Sequence, residues 1–275
     1  MTIELRSERV AFRISGPDAT HLLNDVLTPS ITEGDAVARW FALLSPQGKL
    51  LAEGLIGWAD DGWWLDVHES VAENFRKRMT MYRLRAKLEI AVLAETHRVG
   101  WSAERPEAGI VHADGRDEGL GYRVIAEREA AGGWAAGDGA HKARIALGIP
   151  ELGPDFGAEE VFPHDIGMDH LGGVDFKKGC YVGQEVVSRM QHRGTARRRP
   201  VIVGGLTDAA AGDGVVASGK AAGQIGRVIG GSAVGLVRID RIADPESVEV
   251  GGRPATLALP GWARYALGQP GGDSQ

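Results

Sequence analysis

The spacing of hydrophobic and polar residues near the N-terminus predicts a helix followed by a sheet. After Gly16 and Pro17, apolar residues recur every three to four positions, which is the period of one helical face. The residues of this face are Ala19, Leu22, Leu23, Val26 and Leu27. From Trp40 to His68, apolar runs are separated by Ser-Pro-Gln-Gly and Asp-Asp-Gly, which are turn sequences. We therefore predict an amphipathic helix and then a three-stranded meander.

Residues 69–92 show first a helical period and then the alternating period of a strand. Residues 69–82 carry an apolar stripe at helical spacing, formed by Val71, Ala72, Phe75, Met79 and Tyr82. Residues 84–92 alternate strictly, with the apolar side chains Leu84, Ala86, Leu88, Ile90 and Val92 on one side. The pattern predicts a helix followed by a strand, and it makes residues 37–95 a candidate for an inserted α+β subdomain.

The pattern changes twice in the rest of the chain. Residues 102–140 are rich in Gly, Ala and acids, so we expect mobile loops with one strand at 121–127, followed by a short helix that stops before Pro150. From about residue 200, six short apolar segments each end near glycine, which is typical of a small antiparallel barrel. We therefore divide the chain into 1–199, a barrel at 200–268 and a disordered tail at 269–275.

Composition limits the class of protein. With 275 residues, of which 43% are hydrophobic, the chain can bury a core, and its 40 glycines show no collagen period. No segment approaches the about 18 apolar residues of a membrane span, so we expect a cytoplasmic monomer without membrane contact. The one cysteine, Cys180, excludes an internal disulfide and a zinc or iron–sulfur site built from several cysteines of this chain.

Positive charge is concentrated around that cysteine in the sequence. The formal net charge is −6, yet the segment Lys177–Arg199 contains seven basic residues and one acid, Glu185. The basic residues are Lys177, Lys178, Arg189, Arg193, Arg197, Arg198 and Arg199. Such a cluster favours an anionic ligand. The alternative is a solvated helix face followed by a basic linker.

A helix is predicted to begin just after Cys180. Val186, Val187 and Met190 form an apolar stripe, with a start near Gly183 and a stop at Gly194. In front of the first turn, the helix dipole and the neighbouring lysines would stabilise a thiolate and make it nucleophilic. The same groups could hold a carboxylate or phosphate instead. Alternatively, Cys180 is a small buried hydrophobe.

Other polar residues are weaker candidates. His164 and His170 are six positions apart, which is not one helical face, so we expect no metal site. Asp165, Asp169 and Asp175 could position a substrate amine, although acids in a polar loop are commonly just solvated. The glycine-rich segments lack the features of a nucleotide-binding loop and fit barrel turns better.

Residues 162–194 resemble the signature of the YgfZ-type folate-binding proteins, Lys-Gly-Cys-Tyr/Phe-x-Gly-Gln-Glu followed by an arginine. The matching residues are Lys178, Gly179, Cys180, Tyr181, Gly183, Gln184, Glu185 and Arg189. The early helix, the Ser-Pro-Gln-Gly turn and the C-terminal strands also lie where the family has similar segments. The resemblance implies an α+β, T-protein-like arrangement of three domains around a central cavity, with a C-terminal antiparallel β-barrel.

The resemblance also implies a function and a set of site residues. Members of the family support assembly or repair of iron–sulfur enzymes, and through such enzymes tRNA modification. The implied cofactor is tetrahydrofolate or a polyglutamylated form, and the implied partners are iron–sulfur enzymes or their assembly factors. Cys180 would be the reactive group and Lys178 would orient or activate it. The implied folate-binding residues are Tyr181, Gln184, Glu185 and Arg189.

Two alternatives stand beside this hypothesis. In the related aminomethyltransferases, the Ser-Pro-Gln-Gly turn is followed by paired aspartates, whereas this chain has Ala52 and Glu53. A tetrahydrofolate-dependent aminomethyltransferase is therefore the second hypothesis. The third is a non-enzymatic RNA-binding adaptor that uses residues 193–199. Because no aromatic residues interleave this run and the chain is acidic, we do not expect direct nucleic-acid binding.

Overall fold

A computed structural model describes residues 2–194 and 196–268, which form two compact units. The first unit contains the chain up to Ala140 together with Leu171–Gln184, and the second contains His141–His170 and the chain from Glu185 onward. The boundary expected near residue 200 therefore falls inside the second unit. The tail expected to be disordered, residues 269–275, lies outside the described residues.

The first unit is built on one ten-stranded sheet. Its strands are β1 (Glu4–Leu5), β2 (Arg9–Ser15), β3 (Val37–Leu44), β4 (Leu50–Ala59), β5 (Gly62–His68), β6 (Glu89–Val92), β7 (His97–Ser102), β8 (Ile110–Asp114), β9 (Tyr122–Glu127) and β10 (Ala135–Ala136). Their order is β10-β1-β7-β9-β8-β3-β4-β5-β2-β6. β3 pairs antiparallel with β4, and β4 with β5, which confirms the predicted meander.

Two helices pack on this sheet as their periodicity predicts. Helix α1 (Ala19–Val26) buries Ala19, Leu22, Leu23 and Val26. Helix α2 (Glu69–Arg83) buries Val71, Phe75 and Met79, and the Phe75 ring lies 5.2 Å from that of Phe12 in an edge-to-face arrangement. No helix in the described ranges is both long and apolar enough to cross a membrane.

The structure corrects the prediction for residues 84–92. Strand β6 covers only Glu89–Val92, and Leu84 is 85% exposed with a left-handed φ of 43° where α2 ends. The alternation is interrupted because the chain must turn at Leu84 before it can pair with β2. Residues 102–140 also contain more regular structure than expected, since β8 and β10 accompany the predicted β9. The segment 37–95 shares its sheet with strands from outside it, because β3 pairs with β8 and β5 pairs with β2.

The second unit contains the predicted barrel. Its strands are β11 (Arg198–Gly204), β12 (Gly214–Ala217), β13 (Lys220–Ile225), β14 (Ala233–Arg238), β15 (Val248–Val250) and β16 (Arg253–Ala258). They close in the order β11-β14-β13-β12-β15-β16, with antiparallel pairing throughout. The two remaining helices, α3 (Gly139–Ala146) and α4 (Gln184–Arg193), lie where short helices were predicted.

Buried polar contacts explain why residues 141–170 pack with the barrel. Arg144 forms an ion pair with Asp155, and both side chains are buried. The Asp155 carboxylate also accepts a hydrogen bond from the amide of Arg227 over 3.1 Å. A Cβ at Gly226 would lie 1.9 Å from an Asp155 oxygen, so only glycine fits there. Burial of polar groups is stable only when they are paired, so these contacts hold the segment in place.

Candidate functional site around Cys180

The loop that contains Cys180 is attached to the core of the first unit by Thr28. The Thr28 hydroxyl donates to the carbonyl of Gly173 over 2.6 Å and accepts from the amide of Ala42 over 2.9 Å. The Thr28 carbonyl accepts from the amide of Asp175 over 3.1 Å. Since Thr28 is fully buried, these bonds are protected from water. One side chain between α1 and β3 therefore positions the start of the loop.

Asp175 organises the next turn of the loop. Its carboxylate accepts from the Ser30 hydroxyl over 2.6 Å and from the amide of Lys177 over 2.8 Å. The bond from Ser30 is the main cause that lowers the pKa of Asp175 below its usual value. The sequence made Asp175 a candidate for positioning a substrate amine, but both of these bonds are internal to the loop and its support.

Lys178 anchors the loop through its ammonium group. Nζ donates to the carbonyl of Leu27 over 2.9 Å and to that of Pro29 over 2.7 Å, and it lies 5.4 Å from the ring centroid of Tyr181. Leu27 caps the C-terminus of α1, where a positive charge is favourable. Partial burial lowers the pKa of Lys178 to about 8, opposed by Asp175 and Asp25. This lysine therefore fastens the segment two residues before the thiol.

Tyr181 brings an unpaired polar atom into the site. The residue is only 7% exposed, and its hydroxyl has no hydrogen-bond partner in the described part of the chain. Burial raises the pKa of Tyr181 to about 12, so the hydroxyl stays protonated at neutral pH. Buried hydroxyls normally have a partner, so the Tyr181 hydroxyl is an exception within the described residues.

Gly183 closes the loop against the turn between β3 and β4. It has a left-handed φ of 83°, and a Cβ there would lie 2.7 Å from the carbonyl oxygen of Ser45 and 3.2 Å from the Cα of Gly48. A side chain at this position would be strained and would collide with backbone. The glycine of the motif is therefore required by the approach of the loop to the Ser-Pro-Gln-Gly turn.

Cys180 itself is exposed, with fixed residues on both sides. The alternative that it is a small buried hydrophobe is therefore wrong. Lys178 and Tyr181 are held by the contacts above, while the space around Gly179 is open. The arrangement presents a single thiol on an anchored loop, where a small or large reaction partner can reach it.

The remaining motif residues lie at the start of α4, which begins at Gln184, one residue after the predicted start. The Gln184 amide donates to the carbonyl of Tyr181 over 3.2 Å. Glu185 and Arg189 form an ion pair of 3.3 Å, with side chains that are 90% and 51% exposed. Exposed pairs of this kind contribute little to stability, so both side chains are free to exchange partners. Their assignment to a folate site stays a prediction.

The basic run identified in the sequence is not a uniform solvated face. Arg199 is buried, donates to both carboxylate oxygens of Asp169 over 2.8 and 2.9 Å, and donates to the carbonyl of His164 over 2.8 Å. Its guanidinium also lies 5.2 Å from the ring centroid of Tyr265. Asp169 is thus a structural ion-pair partner of Arg199. This pairing could not be read from the local sequence, because the two residues are 30 positions apart and meet only in the folded unit.

Glu53 is buried in a polar network of the first unit. Its carboxylate accepts from the indole of Trp40 over 2.7 Å and faces Arg9 over 3.4 Å. Arg9 also pairs with the buried Asp66 over 2.6 Å. Ala52, the preceding residue, is buried and has no polar side chain. Glu53, the acid nearest to the position of the paired aspartates, therefore stabilises the core through Trp40 and Arg9. The local sequence around Arg9 gave no sign of this contact.

Comparisons with known proteins agree on two points, the barrel and the fold. Residues 197–265 match the family described as the CAF17 C-terminal beta-barrel domain. The crystal structure of glycine cleavage system aminomethyltransferase T from Bartonella henselae superposes with a TM-score of 0.73 over 94% of this chain and 84% of that one, at 15% identity. The α+β, T-protein-like fold with its C-terminal barrel is thereby confirmed, while assignment to the YgfZ type stays a prediction.

Curated relatives share one description. The iron-sulfur cluster assembly factor IBA57 homolog, mitochondrial, of Pyricularia oryzae is 30% identical over 71% of this chain and 55% of its own length. The human iron-sulfur cluster assembly factor IBA57, mitochondrial, is 27% identical over 92% of this chain and 83% of its own length. The chain spans about half the length of the fungal relatives that it matches.

These names also correct one expectation. The relatives are called mitochondrial, which contradicts the cytoplasmic location expected from the sequence. Composition and the spacing of apolar residues could not decide this point, because location is set by short targeting signals that receptors read.

Proposed function

We propose that this protein is a folate-binding accessory factor for the assembly or repair of iron–sulfur enzymes, and that it acts through the thiol of Cys180. The observation that carries the proposal is the exposure of this one thiol between two anchored residues, Lys178 and Tyr181. A structural cysteine would be buried, whereas a reactive one must be reached by its partner.

The iron–sulfur part of the proposal is supported by the relatives. Both the fungal and the human proteins are named as iron-sulfur cluster assembly factors, and the human one aligns with nearly the whole chain. A thiolate is the soft ligand that iron–sulfur clusters use, and it is also a nucleophile. One cysteine cannot hold a cluster alone, so the proposed action requires a partner protein that supplies further ligands. A loss of tRNA modification would follow indirectly, through the enzymes that depend on such clusters.

Features of the loop fit a folate ligand. The Tyr181 hydroxyl is buried and has no partner among the described residues, so a ligand that opens the loop would give it one at the polar edge of a pterin. The side-chain amide of Gln184 would bind the pterin, and the guanidinium of Arg189 would bind the glutamate carboxylates. Tetrahydrofolate, when bound, carries one-carbon units. Lys178 would act by holding the loop, since its ammonium already donates to Leu27 and Pro29.

Aminomethyl transfer is less well supported, although the fold resembles that of an aminomethyltransferase. That reaction is expected to need carboxylates that hold the reacting amine. Ala52 has none, and the carboxylate of Glu53 accepts from Trp40 and faces Arg9 in the core. A likeness of fold does not carry an activity when the site residues differ.

The test is rescue of cells that lack the related assembly factor. Wild-type protein is expected to restore the activities of several four-iron enzymes, and Cys180→Ser, which is nearly isosteric, is expected not to. Gly179→Ala is the matched control, because it changes the same loop, keeps the thiol and adds a methyl group in open space. Full rescue by Cys180→Ser would remove the thiol from the mechanism, and failure of the wild-type protein to rescue would remove the iron–sulfur role.

Folate binding is tested separately by calorimetry with purified protein. Tetrahydrofolate is expected to bind saturably and to raise the melting temperature, because a ligand that binds only the folded state stabilises it. The polyglutamylated form should bind more tightly, and this advantage should shrink as salt increases. No heat and no thermal shift at millimolar folate would remove folate from the proposal while leaving the thiol in it.

A further inference from the structure

The barrel unit contains a cavity lined by three arginines. The cavity has a volume of about 530 Å³, which is within the range of small-molecule sites. Its basic residues are Arg198, Arg238 and Arg241, and Gln224 adds an amide. The apolar side of the cavity is formed by Phe156, Val161 and Leu236. A ligand here would meet positive charge and apolar surface together.

Two of these arginines face each other across neighbouring strands. Arg198 in β11 and Arg238 in β14 are direct cross-strand partners. Like charges at such positions are destabilising unless something offsets them. The positive charge of Arg238 is offset by Asp240, whose carboxylate accepts from Nε of Arg238 over 3.1 Å and from a terminal nitrogen over 2.7 Å. The Arg198 side chain is exposed and forms no hydrogen bond or ion pair with residues 2–194 or 196–268.

The other charges around the cavity leave its net charge positive. Arg241 donates one hydrogen bond to the carbonyl of Ala221, and a guanidinium has further donors to offer. Glu160 is the acid among the residues that line the cavity, and its carboxylate accepts from the amide of Gly157 over 2.9 Å. The guanidinium of Arg198, which has no partner in the described part of the chain, therefore lies in a cavity with more positive than negative charge.

We propose that this cavity binds a small organic anion that carries two or more carboxylate or phosphate groups. Guanidinium groups bind such oxyanions through two parallel hydrogen bonds, which is why arginine is favoured over lysine at these sites. Arg198 and Arg241 supply the donors, and Leu236 with its apolar neighbours accommodates the carbon skeleton. The site does not depend on the Cys180 proposal, since all its residues belong to the barrel unit.

The experiment is isothermal calorimetry with citrate and with pyrophosphate, at an ionic strength held constant with sodium chloride. Wild-type protein is expected to bind at least one of the two saturably at one site, and the preferred probe distinguishes carboxylate from phosphate ligands. Arg198→Gln should bind about tenfold or more weakly, because a charge-assisted hydrogen bond is lost.

Arg253→Gln is the matched control. Arg253 is an exposed barrel arginine that pairs with Asp208 and lies outside the residues that line the cavity. This variant removes the same charge from the same barrel and should bind like the wild type. Absence of saturable binding of both probes, equal binding by Arg198→Gln, or equal weakening by Arg253→Gln would each overturn the proposal. Circular dichroism confirms that the surface variants are folded.

Discussion

The ammonium group of Lys178 donates a hydrogen bond to the main-chain oxygen of Pro29 over 2.7 Å. This bond joins the loop before Cys180 to the segment that follows α1, about 150 positions earlier in the chain. The lysine of the motif is therefore an anchor for the loop, and its charge is partly removed from solvent. Its protonation should be visible in the stability of the protein.

Relative to Lys178→Met, the wild-type protein should become more stable as the pH rises from about 8 towards 10.5. Burial lowers the pKa of Lys178 from 10.5 to about 8 in the folded protein. Between these values the unfolded chain binds more protons than the folded one, so the free energy of unfolding increases with pH. Chemical denaturation at a series of pH values measures the difference. Lys177→Met controls for the loss of one positive charge, and a difference that stays flat with pH would contradict the shift.

The thiol of Cys180 should be alkylated by iodoacetamide in the native protein, because it is exposed. Mass spectrometry should find one adduct without denaturant, with the same stoichiometry after unfolding. Cys180→Ser should unfold at nearly the same denaturant concentration as the wild type, since an exposed isosteric change removes little packing. A thiol that reacts only after unfolding would show that the loop shields it in solution.

Tyr181→Phe should raise the free energy of unfolding by about 1 kcal/mol, because it removes a buried hydroxyl that has no partner in the described residues. Tyr265→Phe is the matched comparison. The Tyr265 hydroxyl is also buried but donates to the carbonyl of Pro200 over 2.6 Å. Its removal should lower the free energy of unfolding by about 1 kcal/mol. Destabilisation of similar size in both variants would mean that the Tyr181 hydroxyl is paired in solution.

Gly183→Ala should lower the free energy of unfolding by about 1–3 kcal/mol. The left-handed φ of 83° strains any side chain, and the new Cβ would meet the carbonyl oxygen of Ser45 at 2.7 Å. Gly179→Ala, four positions earlier, faces open space and should be nearly neutral. Denaturant unfolding of the two variants compares them directly, and equal stability would mean that the loop does not pack on the turn at Ser45.

Glu53→Gln should lower the free energy of unfolding by about 2 kcal/mol, because it weakens charge-assisted hydrogen bonding in the core. The Trp40 indole can still donate to the amide oxygen, but Arg9 loses the carboxylate of Glu53 as a partner. Glu104→Gln removes the same charge from an exposed position of the same unit and should change stability little. A Glu53→Gln variant as stable as the wild type would indicate that Glu53 is not needed as a charged partner.

Local patterns were sufficient to predict most of the elements. The faces of α1 and α2, the meander of β3 to β5 and the six barrel strands all follow from spacing and turn residues that act over a few positions. The strand predicted over residues 84–92 is confirmed only for Glu89–Val92, because the chain turns at Leu84 after α2. The strand β8 was missed because it forms by pairing with β3 and β9, and such pairing leaves no short-range signal in a glycine-rich segment.

The candidate site was likewise predicted in part from the sequence and decided in part by the tertiary structure. The sequence alone singled out the thiol of Cys180, because it is the one cysteine of the chain and has two lysines before it. The family resemblance added Lys178 and Gly183 as motif residues, and the structure showed why position 183 must be glycine. Whether the thiol is exposed, and that Lys178 binds the carbonyls of Leu27 and Pro29, was decided only by the tertiary structure. Burial and hydrogen bonding depend on which distant segments the fold brings together, and no local window of sequence contains both partners.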